Sequence, residues 1–252
     1  MKLLDALAWT GSWPFAPIAT HDARSLAVAL EADGIDGALV SPLEAVFAVE
    51  PGPANRRLLH ETRAVPALRP VPVVNPTVPG WESDLAEVAD DPRVRMIRLL
   101  PAYHGYRLDG RAAVACGGAA ARLRLAVAVQ MRLVDERHEH HAVRVRPVPV
   151  AALETFVRRL PEIELVASGL LRSEIKAVAP RLRRARFDTS FAEWLDTLPD
   201  LLERARPEQL VFASNAPLLM PAAGRAKVVG ADVPPRIRRV VAGDNLRRLL
   251  GG

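Results

Sequence analysis

The sequence predicts an α/β fold in which eight parallel strands alternate with helices. Short apolar runs alternate with segments of helical periodicity along all 252 residues, and strands that are separated by helices pair in parallel. Half of the residues are hydrophobic, and no linker or low-complexity segment marks a domain boundary. Eight such units close most simply as a (β/α)8 TIM barrel, so we expect one domain over residues 1–252. The alternative is an open, doubly wound sheet.

The first four strand–helix units follow from apolar runs and from helix boundaries. Strands are predicted at 3–9, 37–42, 70–78 and 94–101, and helices at 22–34, 53–65, 81–91 and 111–123. The first helix has Asp22 placed to cap its amino end and Gly34 placed to stop it. Prolines in segment 70–78 suit the ends of a strand better than its middle. Two glycines weaken the helix at 111–123.

The last four units follow the same alternation. Strands are predicted at 125–133, 164–169, 185–191 and 209–217, and helices at 149–161, 173–182, 192–205 and 234–251, the last being a closing helical pair. The uncharged run LAVAV (125–129) leads directly into QMRLVDERHEHH (130–141), which is rich in ionisable residues. Three hypotheses fit this segment: a metal site on His138, His140 and His141, a catalytic rim that uses Asp135 and Arg137, or a solvated loop.

Composition argues against several classes of partner. The net charge is +5, but the arginine clusters at 181–186 and 236–239 have no aromatic residues between them, so we expect no nucleic-acid binding. No apolar run of about 18 residues occurs, so we expect no membrane span. The single cysteine, Cys116, cannot form an intramolecular disulfide, which fits a cytoplasmic protein. The sequence leaves open whether the chain forms a homo-oligomer.

Side-chain alternation along the strands places polar residues inside the barrel at the carboxyl ends, where barrel enzymes carry their chemistry. These residues are Asn75, Arg98, Gln130, Arg132 and Asn215. A buried guanidinium needs an anionic partner. For the two arginines, one hypothesis is a structural pair with Asp5 or Asp135. The other is a substrate carboxylate or phosphate, which a guanidinium holds in a bidentate manner.

Five segments, in this order and spacing, resemble the motifs of a known family. They are DALAWTGSWPF (5–15), VNP (74–76), VRMIRLLPAYHGY (94–106), LVFASNAP (210–217) and GDNLRRLLG (243–251). The first resembles an Asp-x-His-x-His-x-Gly opening, and the fourth resembles Gly-Ser-Asp-x-Pro. Together they resemble the amidohydrolase superfamily, specifically its small barrels of the amidohydrolase 2 type, over nearly the whole chain. The resemblance implies a TIM barrel of the metal-dependent-hydrolase kind.

The resemblance also implies which positions hold the family's metal ligands. They fall on Leu7, Trp9, Arg98, Gln130, Ser168 and Asn215. Leucine, tryptophan and arginine cannot ligate zinc, and glutamine, serine and asparagine are poor ligands. We therefore expect a degenerate metal site and no cofactor, within the fold that the family implies.

Further candidates follow predicted strands. His104 comes after the fourth strand and is the best general acid or base, unless it is structural. Trp13 and Phe15 come after the first strand and either wall a pocket or plug the barrel. Ser214 and Asn215 either donate hydrogen bonds to a ligand oxygen or fill the space of a lost aspartate.

These observations, with the resemblance, predict an enzyme that hydrolyses a small, anionic, carboxylated amide, ester or lactone. Either His104 or Asp135 would be the general base. The predicted substrate-binding residues are Trp13, Asn75, Arg98, Gln130, Arg132, Arg137, Ser214 and Asn215. Two alternatives remain: a catalytically inactive barrel that binds a ligand or a protein, and a non-hydrolytic lyase or decarboxylase.

Overall fold

The computed structural model describes residues 1–18, 22–135, 140 and 143–251. These residues form eight strands, each followed by helix. The strands are β1 (Leu4–Thr10), β2 (Gly37–Pro42), β3 (Leu68–Pro70), β4 (Met96–Leu99), β5 (Ala126–Gln130), β6 (Leu165–Ser168), β7 (Arg186–Asp188) and β8 (Leu210–Val211). The helices are α1 (Ala23–Ala32), α2 (Gly52–Thr62), α3 (Trp81–Ala89), α4 (Arg111–Arg122), α5 (Val150–Arg159), α6 (Arg172–Val178), α7 (Thr197–Leu202), α8 (Pro221–Val229), α9 (Pro235–Arg239) and α10 (Asn245–Leu249).

The strands pair in parallel and in chain order. One ladder runs β1-β2-β3 and the other runs β4-β5-β6-β7-β8. Backbone hydrogen bonds join the two ladders at both seams. At one seam, Arg98 N donates to Pro72 O (2.8 Å) and Val74 N donates to Arg98 O (3.0 Å). At the other, Trp9 N donates to Ala216 O (2.8 Å). The ring of eight strands confirms the predicted TIM barrel.

The predicted alternation of side chains is confirmed in β4 and β5. Ile97, Leu99, Val127 and Val129 pack in the hydrophobic cluster between strands and helices. Met96, Ala126 and Ala128 pack in the second cluster, which fills the barrel interior together with Val71, Val73, Val166, Val211 and Ala213. Small and medium side chains fill the interior near the amino ends, which leaves the polar residues near the carboxyl ends.

The prediction for β3 was wrong in its position. The regular strand covers Leu68–Pro70 rather than 70–78. Pro70 and Pro72 lack the N–H groups that a ladder needs. The chain nevertheless continues along its neighbours, because Val71 N donates to Val40 O (2.7 Å) and Val73 forms an isolated bridge with Arg98.

Two helix predictions were also inaccurate. α7 begins at Thr197 rather than at 192, because Trp194 and Thr197 exchange hydrogen bonds in a turn before the helix. α8 (Pro221–Val229) was not predicted. Its sequence has weak apolar periodicity, although Pro221 stands at the first helical turn, where proline is favoured. Among the described residues, no helix is both long enough and apolar enough to span a bilayer.

Candidate functional site

Two of the cavities among the described residues lie in the loops that follow several strands of the barrel. The larger, of about 320 Å³, is lined by Asp135, Leu171, Arg172, Ser173, Ser190, Phe191, Glu193 and Leu219. The smaller, of about 150 Å³, is lined by Trp13, Phe15, Ala16, Phe47, Tyr103, Val134, His140 and Val143. Both open at the carboxyl ends of the strands, where this fold carries its active sites.

The barrel interior is organised around the guanidinium of Arg98, which β4 directs inward. Its Nε donates to Ser41 Oγ (2.9 Å), and its Nη1 donates to Gln130 Oε1 (2.7 Å) and, more weakly, to Ser168 Oγ (3.5 Å). Its Cζ lies 5.0 Å from the centre of the Trp9 ring, which adds a cation–π contact. These partners are all neutral. Nη2 is buried and has no hydrogen-bond partner among the described residues.

Two buried aspartates compensate this charge from a distance. Burial lowers the pKa of Arg98 to about 10, while attraction to Asp188, and then to Asp5, opposes that decrease. The side chain therefore stays cationic near neutral pH. Neither aspartate forms an ion pair or a hydrogen bond with Arg98 in the described part of the chain, so the compensation acts through space.

Asp5 accepts hydrogen bonds from its own strand and from Ser214, which follows β8. Its Oδ1 accepts from Leu7 N and Ser214 N (both 2.9 Å), and its Oδ2 accepts from Ser214 Oγ. Burial, the largest effect, raises its pKa to about 7. The single hydroxyl proton of Ser214 is therefore used by Asp5. This contradicts the expectation that Ser214 polarises a substrate carbonyl.

Asp188 ends β7 and is fully buried. Its Oδ1 accepts from Ser190 Oγ (2.6 Å), Ser190 N (3.0 Å) and Gly169 N (3.4 Å). Its Oδ2 is buried and accepts no hydrogen bond from the described residues. Asp188 was not singled out from the sequence: it lies in the middle of the predicted strand 185–191 and ends the shorter strand of the structure.

Gln130 and Asn215 are inside the barrel, as predicted, but their amides bond other protein groups. Gln130 Oε1 accepts from Arg98 and its Nε2 donates to Arg132 O (2.8 Å). Asn215 Oδ1 accepts from Trp9 Nε1 (2.8 Å) and its Nδ2 donates to Leu133 O (3.0 Å). These bonds fix the interior wall and leave neither amide directed at a ligand.

Asn75 lies above the barrel interior and organises a loop. Its Nδ2 donates to Val49 O (2.9 Å), and its Oδ1 accepts from Thr77 Oγ1 (2.7 Å) and Thr77 N (3.2 Å). Asn75 is buried but lies beyond the regular strand, and its amide joins two loops in the way a structural residue does.

Arg132 is directed toward α6 rather than along the interior wall. Its Nη1 donates to Gly169 O (2.9 Å) and to Glu174 Oε2 (3.1 Å). The strict alternation of β5 ends at Gln130, so it does not extend to Arg132. The acid that faces Arg132 is Glu174, which the sequence did not single out, so the structural alternative describes this arginine.

His104 lies after β4, as predicted. Its Nε2 is 2.9 Å from Ala45 O, and because a carbonyl oxygen only accepts, Nε2 carries the proton. Burial lowers the pKa of His104 below its usual value, which favours the neutral ring. Nδ1 is buried without a hydrogen-bond partner among the described residues.

Asp135 and His104, which were predicted to share one cavity with Arg137, do not both line the larger cavity. Asp135 lines the larger cavity, and His104 is not among the residues that line it. The loops after β4 and β5 do emerge side by side, but His104 bends toward Ala45 on the β2 side. Arg137, His138, Glu139 and His141 lie outside the described residues, so the hypotheses that use them stay predictions.

Trp13 and Phe15 wall the smaller cavity, which was one of the two predicted roles for them. Trp13 packs against Phe15 (centroids 5.6 Å apart) and Phe47 (5.4 Å), and Phe47 packs against Tyr103 (5.6 Å). His140 stacks on Phe15 at 5.1 Å. That residues after β1, β2 and β4 form one aromatic cluster could not be predicted, because the contact depends on the paths of three loops.

No group of three or more His, Cys, Asp or Glu side chains is placed to hold a metal ion in the part of the chain that the structure describes. At the barrel centre, the positions that the sequence motifs align with metal ligands carry a guanidinium, an indole, amides and a hydroxyl. Arg98 itself occupies the space between Gln130 and Ser168.

Comparison with known proteins supports one family. The chain is similar in structure to a 5-carboxyvanillate decarboxylase from Sphingomonas paucimobilis, with a TM-score of 0.77, 15% identity and 99% of both chains covered. It is similar to a 2,6-dihydroxybenzoate decarboxylase from Rhizobium, with a TM-score of 0.74, 13% identity and coverage of 99% and 98%. It is also similar to a probable 2-pyrone-4,6-dicarboxylic acid hydrolase from Acinetobacter baumannii, with a TM-score of 0.67, 13% identity and full coverage of both chains.

At these identities the structural likeness establishes the fold alone. A search of curated protein sequences finds no match. A family model described as amidohydrolase matches residues 9–252, nearly the whole chain. This match agrees with the parallel barrel and with the order of the sequence motifs. The chain therefore belongs to the amidohydrolase family.

Proposed function

We propose that this protein hydrolyses a small carboxylated ester, lactone or amide at the carboxyl end of the barrel, and that a fixed arginine supplies the positive charge. One observation carries the proposal: Arg98 is a buried cation at the barrel centre whose Nη2 has no protein partner in the described residues. A buried N–H group without a partner costs free energy, which a substrate carboxylate or carbonyl oxygen would recover.

The residues at the barrel centre do not fit a divalent metal. A metal there would lie beside a permanent cation, and its neighbours would be Trp9, Gln130 and Ser168 rather than histidines and carboxylates. Both the repulsion and the poor ligand set disfavour binding. The proposal therefore contains no metal-dependent step, and we treat the metal site of the family as degenerate in this chain.

The cavities provide the rest of the proposed site. The aromatic walls of the smaller cavity, from Trp13, Phe15 and Phe47, suit a planar apolar group of ring size. The larger cavity is more polar and includes Asp135 and Ser190. A substrate with a ring and a carboxylate has one part suited to each environment. Arg98 would hold or polarise the anionic part.

The structural neighbours support this substrate class. The names of all three denote activities on small carboxylated compounds, two by decarboxylation and one by hydrolysis. Decarboxylation is therefore the second candidate, favoured by the similarity to the two decarboxylases. A third candidate is a barrel that binds a ligand without converting it. In that case, the compounds should bind and no product should form.

We also propose that the protein acts in the cytoplasm on a small molecule rather than on nucleic acid. Cys116 is buried, and burial raises the pKa of its thiol to about 12, so it is unreactive near neutral pH. Two arginines of the basic cluster 181–186 pair with acids, as Arg181–Glu154 and Arg184–Glu162. Such pairs do not form the unopposed basic surface that nucleic acid requires.

A panel of defined compounds tests the proposal on protein dialysed against a chelator. The panel contains 2-pyrone-4,6-dicarboxylate and mono-4-nitrophenyl phthalate for hydrolysis, and 5-carboxyvanillate and 2,6-dihydroxybenzoate for decarboxylation. The expected result is hydrolysis that persists without metal and is lost in Arg98→Met. Arg122→Met, an exposed arginine at the end of α4, is the matched control. Release of carbon dioxide would select the second candidate, and binding without products would select the inactive barrel.

A further inference from the structure

Asp188 is the buried carboxylate whose bonding is least complete. One oxygen, Oδ1, accepts from Ser190 and Gly169, whereas Oδ2 accepts from none of the described residues. Asp5 is the natural comparison, because it is equally buried and both of its oxygens accept hydrogen bonds. A carboxylate with one bonded and one unbonded oxygen is oriented by the first oxygen and reactive at the second.

The position of Asp188 joins the barrel centre to the larger cavity. β7 lies three strands from β4 in the ring, so Asp188 and Arg98 approach the barrel axis from different sides. Each has an unpartnered polar atom, Oδ2 and Nη2 respectively. On the other side, Ser190 bonds Asp188 through its hydroxyl and also lines the cavity of about 320 Å³. The carboxylate is thus one side chain away from a space that a substrate can enter.

The loop that carries Asp188 and Ser190 is held rigidly. Lys227 Nζ on α8 donates to Ser190 O (2.8 Å) and to Thr189 O (3.3 Å), and it pairs with Glu193 Oε1 at 3.1 Å. The charged groups that act on Asp188 across the barrel are Arg98 from β4 and Asp5 from β1. This fixed geometry is the kind of support that a general base needs.

We propose that Asp188 is the general base of the hydrolytic reaction, a role that the sequence motifs had suggested for His104 or Asp135. The inference rests on the proposed function. Oδ2 takes a proton from water while the water oxygen forms a bond to the acyl carbon, and the carbonyl electron pair moves onto its oxygen. When this intermediate collapses, the bond from the acyl carbon to the leaving oxygen or nitrogen breaks. The leaving atom takes the proton from Asp188, which regenerates the base, and the products are a carboxylic acid and an alcohol or amine. The acid then loses its proton to solvent, or to the amine, and becomes a carboxylate.

Asp188→Asn tests the assignment with whichever of 2-pyrone-4,6-dicarboxylate and mono-4-nitrophenyl phthalate the wild type hydrolyses. The variant keeps an acceptor for Ser190 and Gly169 but has no base. We expect kcat to fall at least about 100-fold and KM to change less than about threefold. Asp91→Asn, which removes an aspartate that pairs with Arg93 outside the barrel interior, should keep kcat within about threefold among folded molecules.

Ser190→Ala keeps the test decisive if Asp188→Asn does not fold. Without the Ser190 hydroxyl the carboxylate loses the hydrogen bond that orients it, so kcat should fall about tenfold while KM changes less than about threefold. A near wild-type kcat in either variant would overturn the assignment and leave the proposed hydrolysis standing. If the wild type hydrolyses neither compound, the proposed function and the assignment fail together.

Discussion

At the scale of single residues, the barrel interior is a nearly closed network of polar groups around one cation. Burying a guanidinium costs free energy that its hydrogen bonds must offset. Ser41, Gln130 and Ser168 provide those bonds to Arg98, and Trp9 covers its face. Groups that bond only each other stabilise the fold. Arg98 Nη2 and Asp188 Oδ2 have no partner among the described residues, and we assign these two groups to ligand binding and catalysis.

The two interior arginines should therefore respond differently to substitution. Arg98→Met should weaken binding of a carboxylated ligand by roughly 2–5 kcal/mol, the usual effect of removing one partner of a buried charge pair. Arg132→Met loses the hydrogen bonds to Gly169 and Glu174. It should therefore lower the free energy of unfolding by about 1–3 kcal/mol and leave ligand affinity unchanged. Calorimetric titration and denaturant unfolding of both variants check this. Reduced affinity in Arg132→Met with unchanged stability would reverse the two roles.

Asp5 predicts an unusual pH dependence of stability. Its folded pKa of about 7 lies above the ordinary value of 3.8, so the folded state binds the proton more tightly. The contribution of Asp5 to the free energy of unfolding is fully present below the pKa that Asp5 has in the unfolded chain. It is lost as pH rises through the pKa that Asp5 has in the folded protein. Between about pH 5 and pH 8, the free energy of unfolding of the wild type should fall by about 2–3 kcal/mol relative to that of Asp5→Asn.

Comparing wild type with Asp5→Asn isolates this effect from that of His104. His104 has a lowered pKa, so its contribution to stability is lost as pH falls, which is the opposite direction to that of Asp5. This effect is present in both the wild type and Asp5→Asn, so it cancels in the comparison. Denaturant unfolding at several pH values gives the difference. A difference between the two proteins that does not vary with pH would show that Asp5 is ionised in the folded protein.

Interior residues could be predicted from the sequence because side-chain alternation is local. Arg98, Gln130 and Asn215 face inward as predicted, since each lies in or directly after a short apolar run. The partners of His104 and Arg132 could not be predicted. Ala45 is 59 residues from His104, and Glu174 is 42 residues from Arg132. Such pairs depend on the paths of loops, which no local pattern specifies.

At the scale of elements, the carboxyl ends of β5, β6 and β7 are joined at Gly169. This glycine follows β6 with φ of +80°, and a Cβ there would overlap the carbonyl of Arg132. Its N–H also donates to Asp188. The same three strands carry Gln130, Ser168 and Asp188, so the spacing of the site depends on this close backbone contact.

Gly169→Ala should therefore lower the free energy of unfolding by more than about 3 kcal/mol, through both the strained φ and the overlap with Arg132. Gly105 is the matched control, because its φ is +68° but a Cβ there would meet no atom within 4 Å. Gly105→Ala should lower the free energy of unfolding by only about 1 kcal/mol. Chemical denaturation of both variants measures the difference, and equal losses would mean that the contact between strands is unimportant.

Element predictions succeeded where periodicity was strong and failed where it was weak. Segment 70–78 has the composition of a strand, but its prolines remove ladder donors, so only Leu68–Pro70 is regular. α8 contains Gly224 in its middle, where the helix passes close to Ser214. A glycine chosen for close packing weakens the helical pattern that a sequence can reveal.

At the scale of the whole molecule, the barrel was predictable because eight repeated units leave few ways to close. Parallel strands need crossover connections, and a ring removes the exposed edges of the sheet. The seam between β1 and the segment after β8, which pairs Ala8 with Ala216, completes that ring. The cavities depend on loop paths around the carboxyl ends, so they could not be read from the same pattern.

The central claim is that this amidohydrolase-family barrel is built around an arginine in place of a metal ion. Anomalous diffraction tests it most directly, on crystals of protein produced and crystallised with added zinc and manganese. We expect no anomalous peak between Arg98, Gln130 and Ser168, and we expect density for a guanidinium that bonds both neighbours. A peak near full occupancy at that position, with Arg98 displaced from it, would show that the barrel centre binds a metal ion.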